Sequence, residues 1–338
     1  MAKAAPMRWE PQFAWQKITG RQDDIEVERV KKSKRSQIYR LKHREGNVIA
    51  KRCLEGTALR EKLFYESVAA QSSIRLPRFL GFVSELQNGS GHEFCWLFLE
   101  DLGAQRHDPG DAGERSRLAE WLGRFARLTM SAASSVANRL PDRRLPYYRS
   151  FLGQSLVSLP ALANRRRFSA GAQAAFALAL NSLSAVQERW SELDELTKGA
   201  PCVLAHGDCL PKNIHVINEP GQPVVPIDWG SVGVGLPVMD LGVSAVSLDK
   251  SAQVVPDVEA YVFAIRPVWP ELNTDTATRL AIAGRILWIL KLIAQSTPVF
   301  HDYSGRKVEA HMSLYAQVLH ESVSFMGWGK PSRNSRGG

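Results

Sequence analysis

The sequence has few cysteines and no long apolar run. Four of its 338 residues are cysteines, and none stands in a CxxC or Cys/His spacing that would predict a zinc site. So few scattered thiols favour a reducing interior. Residues 1–13 contain no apolar run and do not resemble a secretory signal peptide. The most apolar stretch, residues 280–294, is interrupted by Arg285 and Lys291, so a cytoplasmic protein with no membrane partner is predicted.

Acidic residues are outnumbered, with 34 Asp and Glu against 43 Lys and Arg and a net charge of +9. The basic residues are densest at residues 31–35 and 165–167, where neither interleaved aromatic residues nor a nucleic-acid-binding motif accompanies them. Such runs are usually solvated. The binding of anionic ligands such as nucleotide phosphates would explain part of the excess of basic residues. No specific nucleic-acid partner is expected. A nucleic-acid-binding module remains the third hypothesis, to be judged by a steep loss of affinity with salt.

The first third of the chain has the patterns of strands. Residues 57–70 have the spacing of a helix, and the turn-forming residues 87–91 predict a hairpin loop. Segments with strand patterns lie at residues 25–30, 36–41, 48–51, 79–84 and 94–99.

The remainder of the chain is mainly helical. Helical spacing extends over residues 111–198 and 237–325, with short apolar pieces between them. A strand-rich lobe followed by a helical lobe is an α+β arrangement. The predicted divisions are an N-terminal lobe at residues 1–102, a C-terminal lobe at residues 103–326, and a disordered tail rich in Gly, Ser and Arg at residues 327–338.

Two carboxylates and one amide have the arrangement that phosphoryl transfer requires. Asp208 and Asn213 lie five residues apart across a loop, and Asp228 ends a later apolar segment. The reaction needs Mg²⁺, which prefers oxygen ligands, and a carboxylate that orients and deprotonates the acceptor hydroxyl. If the strands around Ile214 and Ile227 pair, the three side chains converge at one end of them. Each residue alone is equally typical of a turn or a helix cap, but their joint occurrence favours a catalytic site.

Three blocks in order resemble the aminoglycoside phosphotransferase and choline kinase superfamily, which has the protein-kinase-like fold. The blocks are HGDCLPKN at residues 206–213, IDW at residues 227–229 and GLPVMDL at residues 235–241. The resemblance implies two lobes, ATP and Mg²⁺ as cofactors, and transfer of the γ-phosphate to a hydroxyl of a small molecule.

The resemblance also implies a role for each residue of these blocks. Asp208 corresponds to the catalytic base, and Asn213 and Asp228 correspond to the residues that hold Mg²⁺. His206 orients the catalytic loop by hydrogen bonding rather than by transferring protons. Asp240 braces that loop from the start of a helix, where its alternative role is that of an N-cap.

The N-terminal lobe contains a candidate ion pair. Lys51 ends a Val-Ile-Ala-Lys segment, close to the strand pattern whose lysine contacts the α- and β-phosphates. A lysine at the end of a strand is otherwise usually solvated. The superfamily places its paired glutamate in the helix that follows, where Glu61 is preferred to the competing Glu66.

Two backbone segments are expected to contact the nucleotide. Glu100 and Leu102 lie where the superfamily has its hinge, so the Glu100 carbonyl and the Leu102 N–H would meet the adenine edge. The phosphate loop, residues 31–36, contains no glycine, so Ser33 and Ser36 are expected to supply hydroxyl and N–H donors. ATP is the expected nucleotide, with GTP as the alternative. Thr129 stands where relatives commonly have a histidine, and only packing is expected to change there.

The acceptor is less well defined. A polycationic aminoglycoside needs an acidic pocket, but residues 104–200 contain fourteen basic against nine acidic residues. A sugar, a nucleoside, an anionic natural product or another antibiotic or related metabolite fits better. The second hypothesis, from a different functional class, is a catalytically silent nucleotide-binding or scaffold protein. Degenerate kinases usually lose the lysine, the base or a metal ligand, and all of these are present here.

Overall fold

The computed structural model describes residues 9–21, 24–33, 36–85, 94–165, 168–221, 223–246 and 254–329. The chain divides into two compact units. The strand-rich unit comprises Met1–Arg106 with Asn213–Val232, and the helical unit comprises His107–Lys212 with Gly233–Gly338. This division differs from the single predicted boundary after residue 102, because residues 213–232 belong to the same compact unit as residues 1–106.

An antiparallel sheet of five strands forms the strand-rich unit, in the order β1-β2-β3-β5-β4. Helix α1 precedes the sheet, and helix α2 follows the third strand. The elements are α1 (Pro11–Thr19), β1 (Glu26–Lys32), β2 (Ser36–His43), β3 (Gly46–Leu54), α2 (Glu55–Ser67), β4 (Phe79–Glu85) and β5 (Phe94–Glu100). Strands β4 and β5 pair antiparallel, and the predicted loop at residues 87–91 between them lies outside the described residues.

Alternating burial explains why these segments form a sheet. Strand β2 buries every second side chain, including Tyr39 and Leu41, because successive residues of a strand face opposite sides. Trp96 and Phe98 of β5 join them in one core, which is covered by Trp15 of α1. The central strand β3 is buried over its second half, and Lys51 lies within that half.

Short strands at residues 203–235 alternate between the two units. They are β6 (Val203–Ala205), β7 (Ile214–Val216), β8 (Val224–Pro226) and β9 (Gly233–Gly235). Strand β6 pairs with β9 in the helical unit. Strand β7 pairs with β8 in the strand-rich unit, which fulfils the condition stated for the segments around Ile214 and Ile227.

The helical unit surrounds one buried helix, α9. Its helices are α3 (Ala112–Val136), α4 (Leu145–Arg165), α5 (Ala170–Glu188), α6 (Trp190–Thr197), α7 (Met239–Ser244), α8 (Val258–Ile265), α9 (Thr274–Ser296) and α10 (Gly305–Phe325). A β-carbon at Gly242 of α7 would lie 1.7 Å from the carbonyl oxygen of Ala281, and one at Gly284 of α9 would lie 2.4 Å from that of Met239. Glycine is therefore needed at both positions, and α7 and α9 pack backbone against backbone.

The C-terminal segment differs in part from its prediction. Residues 326–329 form turns after α10. Trp328 is buried and donates its Nε1–H to Glu192 Oε2 at 2.8 Å, so the predicted disorder does not begin at residue 327. Residues 330–338 of the predicted tail lie outside the described residues. In the described part of the chain, no helix has the length and apolar character to cross a bilayer.

Candidate active site

The segment after β6 is held by Asp240. Asp240 Oδ2 accepts from the N–H of His206 at 2.6 Å, and Oδ1 accepts from the N–H of Gly207 at 3.0 Å. Asp240 lies in the first turn of α7, and the N-cap position belongs to Val238, whose φ is 73°. Asp240 therefore contacts the loop backbone from within the helix and does not cap the helix. Tyr261 supports this helix start, because its hydroxyl accepts from Val238 N–H at 2.8 Å.

His206 and Trp288 both contact Asp208. The backbone N–H of Asp208 donates to His206 Nδ1 at 3.3 Å, and His206 is buried; its orienting role stays a prediction. The indole Nε1–H of Trp288 donates to Asp208 Oδ1 at 3.2 Å. Trp288 was not among the predicted site residues, because an aromatic residue in an apolar helix gives no signal of its polar partner.

Lys291 is a second residue that sequence reasoning missed. Its Nζ donates to the carbonyl oxygen of Gly207 at 2.5 Å, and the residue is buried. Burial lowers its pKa to about 8; Asp208 opposes this shift, Arg143 adds to it and Asp240 opposes it. The available signal was a charge inside the most apolar stretch of the chain, because such a charge needs a partner when it is buried.

Thr129 contacts the strand that leads into this loop. Its hydroxyl donates to the carbonyl oxygen of Phe125 at 2.8 Å and accepts from the N–H of Leu204 at 3.3 Å. The expectation that only packing is affected at this position is therefore wrong. Thr129 joins α3 to β6 by a hydrogen bond.

Lys51 is the centre of an ion triad in the strand-rich unit. Its Nζ lies 2.5 Å from Glu61 Oε2 and 2.5 Å from Asp228 Oδ1. Burial by itself would lower the pKa of Lys51, but the carboxylates of Asp228 and Glu61 outweigh it and hold that pKa well above its ordinary value. Glu66, the alternative candidate, instead pairs with Lys62 at 2.6 Å. Of the two glutamates, the structure brings Glu61 to Lys51.

Asn213 and Asp228 flank the paired strands β7 and β8. The N–H of Ile227 donates to the carbonyl oxygen of Asn213 at 2.8 Å, so the two chain segments are adjacent there. Asp228 has a φ of 66°, and its side chain is 38% exposed. A β-carbon at Gly230 would lie 2.4 Å from Thr57 Cγ2, so this glycine lets the segment approach α2.

The donor set of these residues fits a hard cation. Asn213 offers an amide oxygen and Asp228 a carboxylate, and Mg²⁺ in phosphoryl-transfer sites binds one or two such protein ligands together with phosphate and water. Within the described ranges, no group of three or more His, Cys, Asp and Glu residues could hold a metal. The residues therefore fit a magnesium ion bound mainly by its nucleotide.

The expected nucleotide contacts lie at the ends of the sheet strands. The Ser33 hydroxyl donates to the Ser36 carbonyl oxygen at 3.0 Å and accepts from the Ser36 N–H at 3.0 Å, while residues 34–35 lie outside the described residues. Glu100 ends β5, and its carboxylate binds the Arg75 guanidinium at 2.7 and 2.9 Å. Leu102 follows this strand and is half-buried. The Glu100 side chain is thus occupied by an ion pair, and adenine recognition there would fall to the backbone.

Comparison with known proteins decides the family. The model of the phosphotransferase enzyme family matches residues 26–273, well over half of the chain. The chain belongs to the phosphotransferase enzyme family. This membership agrees with the resemblance that the three sequence blocks carry. The matched region contains the Lys51 triad and the loop around Asp208, so both features lie inside the family domain. A search of curated proteins found no match.

Solved structures of phosphotransferases and kinases share the fold. The microcompartment-associated aminopropanol kinase is 16% identical, with 95% of this chain and 99% of that chain covered and a TM-score of 0.57. Spectinomycin phosphotransferase in complex with ADP and spectinomycin is 14% identical, with coverages of 89% and 94% and a TM-score of 0.55. The ethanolamine kinase of Plasmodium vivax is 12% identical, with coverages of 89% and 84% and a TM-score of 0.59. At these identities the likeness shows the fold, which is kinase-like and α+β.

Proposed function

We propose that this phosphotransferase is an ATP-dependent kinase that phosphorylates a hydroxyl group of a small molecule. The observation that carries the proposal is the triad in which the Nζ of the buried Lys51 contacts Glu61 and Asp228 at 2.5 Å each. A buried lysine held by two carboxylates is costly to form, and phosphoryl transfer gives a reason to keep it. The triad supports an active enzyme over a silent scaffold, because degenerate kinases usually lose one of its members.

In this proposal the strand-rich unit binds the nucleotide. Lys51, oriented by Glu61, contacts the α- and β-phosphates. Ser33 and Ser36 would donate to phosphate oxygens in exchange for the hydrogen bonds that join them to each other. The Glu100 carbonyl and the Leu102 N–H hydrogen bond to the adenine edge. Asn213 and Asp228 would hold Mg²⁺, which when bound neutralises charge on the phosphates.

Asp208 acts on the acceptor. Its carboxylate accepts a hydrogen bond from the acceptor hydroxyl and takes that proton as the oxygen bonds to the γ-phosphorus and the bond to the β-phosphate oxygen breaks. The contact from Trp288 to Oδ1 supports this role, because it fixes one carboxylate oxygen in direction. His206 and Asp240 support it by holding the loop backbone.

The acceptor proposed is a small polyol such as a sugar or a nucleoside, or another metabolite or antibiotic with a free hydroxyl. The kinases that share the fold are described as acting on aminopropanol and ethanolamine, and a third neighbour binds spectinomycin, which supports a small hydroxyl-bearing acceptor. The excess of basic over acidic residues at residues 104–200 supports a neutral or anionic acceptor over a polycation.

The test is acceptor-dependent consumption of ATP by the purified protein with Mg²⁺ and a panel of sugars, nucleosides, amino alcohols and antibiotics. Asp208→Asn is expected to lower kcat by about 10²- to 10⁴-fold, while thermal shift with ATP is retained. Glu66→Gln is the matched control, since Glu66 pairs only with Lys62 among the ion pairs of the described residues. Undiminished turnover of Asp208→Asn would remove Asp208 from its role. Stabilisation by ATP without turnover on the whole panel would favour the silent nucleotide-binding alternative.

A further inference from the structure

Helix α9 presents three buried polar side chains at a spacing of three residues, which places them along one face. They are Arg285, Trp288 and Lys291. Arg285 Nε donates to the carbonyl oxygen of Gly242 at 2.8 Å. Trp288 and Lys291 donate to Asp208 and Gly207 instead. The first residue therefore joins α9 to α7, and the other two join α9 to the loop that contains Asp208.

The contacts from α9 complete the support of this loop. Asp240 accepts from the N–H groups of His206 and Gly207, and His206 Nδ1 accepts from the N–H of Asp208. Lys291 adds a donor to the Gly207 carbonyl, and Trp288 adds a donor to the Asp208 carboxylate. Backbone donors, a backbone acceptor and the reacting carboxylate are thus each held by a different side chain.

The supports of the loop also share a rigid base. Asp240 lies on α7, while Trp288 and Lys291 lie on α9. The close approaches at Gly242 and Gly284 allow no sliding between these two helices without a steric clash. The distance from the α7 carboxylate to the α9 donors is therefore fixed by backbone packing, and so is the position of the loop between them.

We propose that Lys291 and Trp288 are positioning residues for the reaction, which hold the Asp208 carboxylate in its reactive orientation through Gly207 and through Oδ1. The proposal rests on the proposed kinase function. Lys291 fixes the peptide unit that precedes Asp208, and Trp288 fixes the rotation of its carboxylate. A displacement of about 1 Å at a reacting group costs on the order of 100-fold in rate, so both contacts are expected to matter for kcat.

The charge of Lys291 separates this role from simple packing. The charged groups that face it are Asp208 from the loop, Asp240 from α7, and Arg143 from the connection before α4. Because its pKa is about 8, Lys291 loses its proton at mildly alkaline pH and the charge-assisted bond to Gly207 weakens. Wild-type kcat should fall as pH rises through about 8.

The first experiment compares two buried donors of the same helix. Lys291→Met replaces the donor to Gly207 by an unbranched apolar side chain. Arg285→Met replaces the donor to Gly242 in the same way. We expect Lys291→Met to lower kcat by about 10- to 100-fold with the affinity for ATP unchanged, and to lack the alkaline fall of kcat. Arg285→Met should destabilise the protein but leave kcat per folded molecule near that of wild type. Equal kcat losses in the two variants would overturn the proposal.

A second variant covers the case in which Lys291→Met does not fold. Trp288→Phe keeps an aromatic ring and loses the indole N–H, so the Asp208 carboxylate loses the hydrogen bond from Trp288 while packing is largely retained. Its kcat should fall by about 10-fold, as expected for the loss of one charge-assisted hydrogen bond. The KM for ATP should be unchanged. A Trp288→Phe enzyme with wild-type kcat would overturn the role of Trp288.

Hydrogen exchange separates failure of this inference from failure of the kinase proposal. Amide exchange at residues 206–208 can be measured whether or not an acceptor is found. Lys291→Met should speed exchange there at least 10-fold, and Arg285→Met should not. If Lys291→Met speeds exchange but wild type shows no turnover on the whole panel, the result counts against the kinase function. The support of the loop by Lys291 would then still hold. Unchanged exchange in Lys291→Met would refute the inference even if the enzyme is active.

Discussion

Each of the two units buries a lysine, and the pKa values of these two lysines are shifted in opposite directions. Lys51 in the strand-rich unit meets two carboxylates, and its pKa is held well above the ordinary value. Lys291 in the helical unit donates to a neutral carbonyl, and its pKa falls to about 8. Desolvation disfavours both charges. The partner therefore decides the outcome, and a buried lysine cannot be assigned a state from its burial alone.

This contrast agrees with the proposed roles. A cation that contacts nucleotide phosphates has to stay charged at every physiological pH, and two carboxylates ensure that for Lys51. A side chain that positions a backbone carbonyl needs an N–H donor, and a positive charge on that donor strengthens the hydrogen bond. Lys291 can donate to the Gly207 carbonyl at a pH close to its own pKa, but the strength of this hydrogen bond then depends on pH.

The largest expected effect is the loss of the Lys51 charge. Lys51→Met leaves the carboxylates of Glu61 and Asp228 without their shared cation, and Glu61 is completely buried. Breaking a buried ion pair in this way typically costs about 3–5 kcal/mol of the free energy of unfolding. Urea denaturation measures it, and binding of ATP should be lost as well.

Lys62→Met is the control for this substitution. Lys62 and Glu66 form a partly exposed ion pair on α2, the helix that also carries Glu61. Loss of this ion pair should change the free energy of unfolding by less than about 1 kcal/mol. If Lys51→Met and Lys62→Met destabilised the protein equally, the triad would not differ from a surface ion pair and the comparison between the two buried lysines would fail.

A pH titration of stability tests the other lysine. The folded pKa of Lys291, about 8, lies below the ordinary lysine value of 10.5, so between these values the unfolded chain binds more protons than the folded one. The free energy of unfolding should then rise with pH across this window, by up to about 3 kcal/mol from this group. Lys51 has a raised pKa, so its contribution is complete below pH 10.5 and is not lost in this window.

The measurement is the difference between wild type and Lys291→Met in urea denaturation at pH 7.5 and pH 10. This difference isolates Lys291 from other groups that titrate in the same range. A pH-independent difference would mean that folding does not lower the pKa of Lys291, and the contrast with Lys51 would disappear. Stability and kcat should also move in opposite directions, since kcat is expected to fall over the same range.

Sequence reasoning found those features that a local motif signals. The Val-Ile-Ala-Lys segment indicated Lys51, and the three blocks indicated Asp208, Asp228 and Asp240. Glu61 and Glu66 lie five residues apart on one helix, which turns them about 140° from each other. Spacing alone could not choose between them until the position of Lys51 relative to α2 was known.

What sequence reasoning missed depends on contacts between distant segments. Residues 213–232 return to the compact unit of residues 1–106 and contact helix α2 there, and no local pattern reports such a return of the chain. Trp288 and Lys291 looked like parts of an apolar helix because their partners, Asp208 and Gly207, lie about eighty residues earlier. The mainly-β N-terminal part and the helical C-terminal part, by contrast, followed from periodicity.

The smallest effect concerns a neutral contact behind the Asp208 loop. Thr129→Val keeps the shape of the side chain but removes the hydroxyl that accepts from Leu204 N–H. A buried N–H left without this acceptor costs about 1–2 kcal/mol in the free energy of unfolding. Unlike the effect of Lys291, this loss should not change with pH, because no charge is involved.

Thr278→Val provides the matched control on α9. Its hydroxyl also donates to a carbonyl four residues earlier, at 2.7 Å, but the residue is only half-buried, so a change within about 0.5 kcal/mol is expected. If the change in the free energy of unfolding caused by Thr129→Val varied with pH, a titrating group would have to affect the hydrogen bond of Thr129. The pH dependence assigned to Lys291 would then have a second source, and the two lysines could no longer be compared as isolated cases.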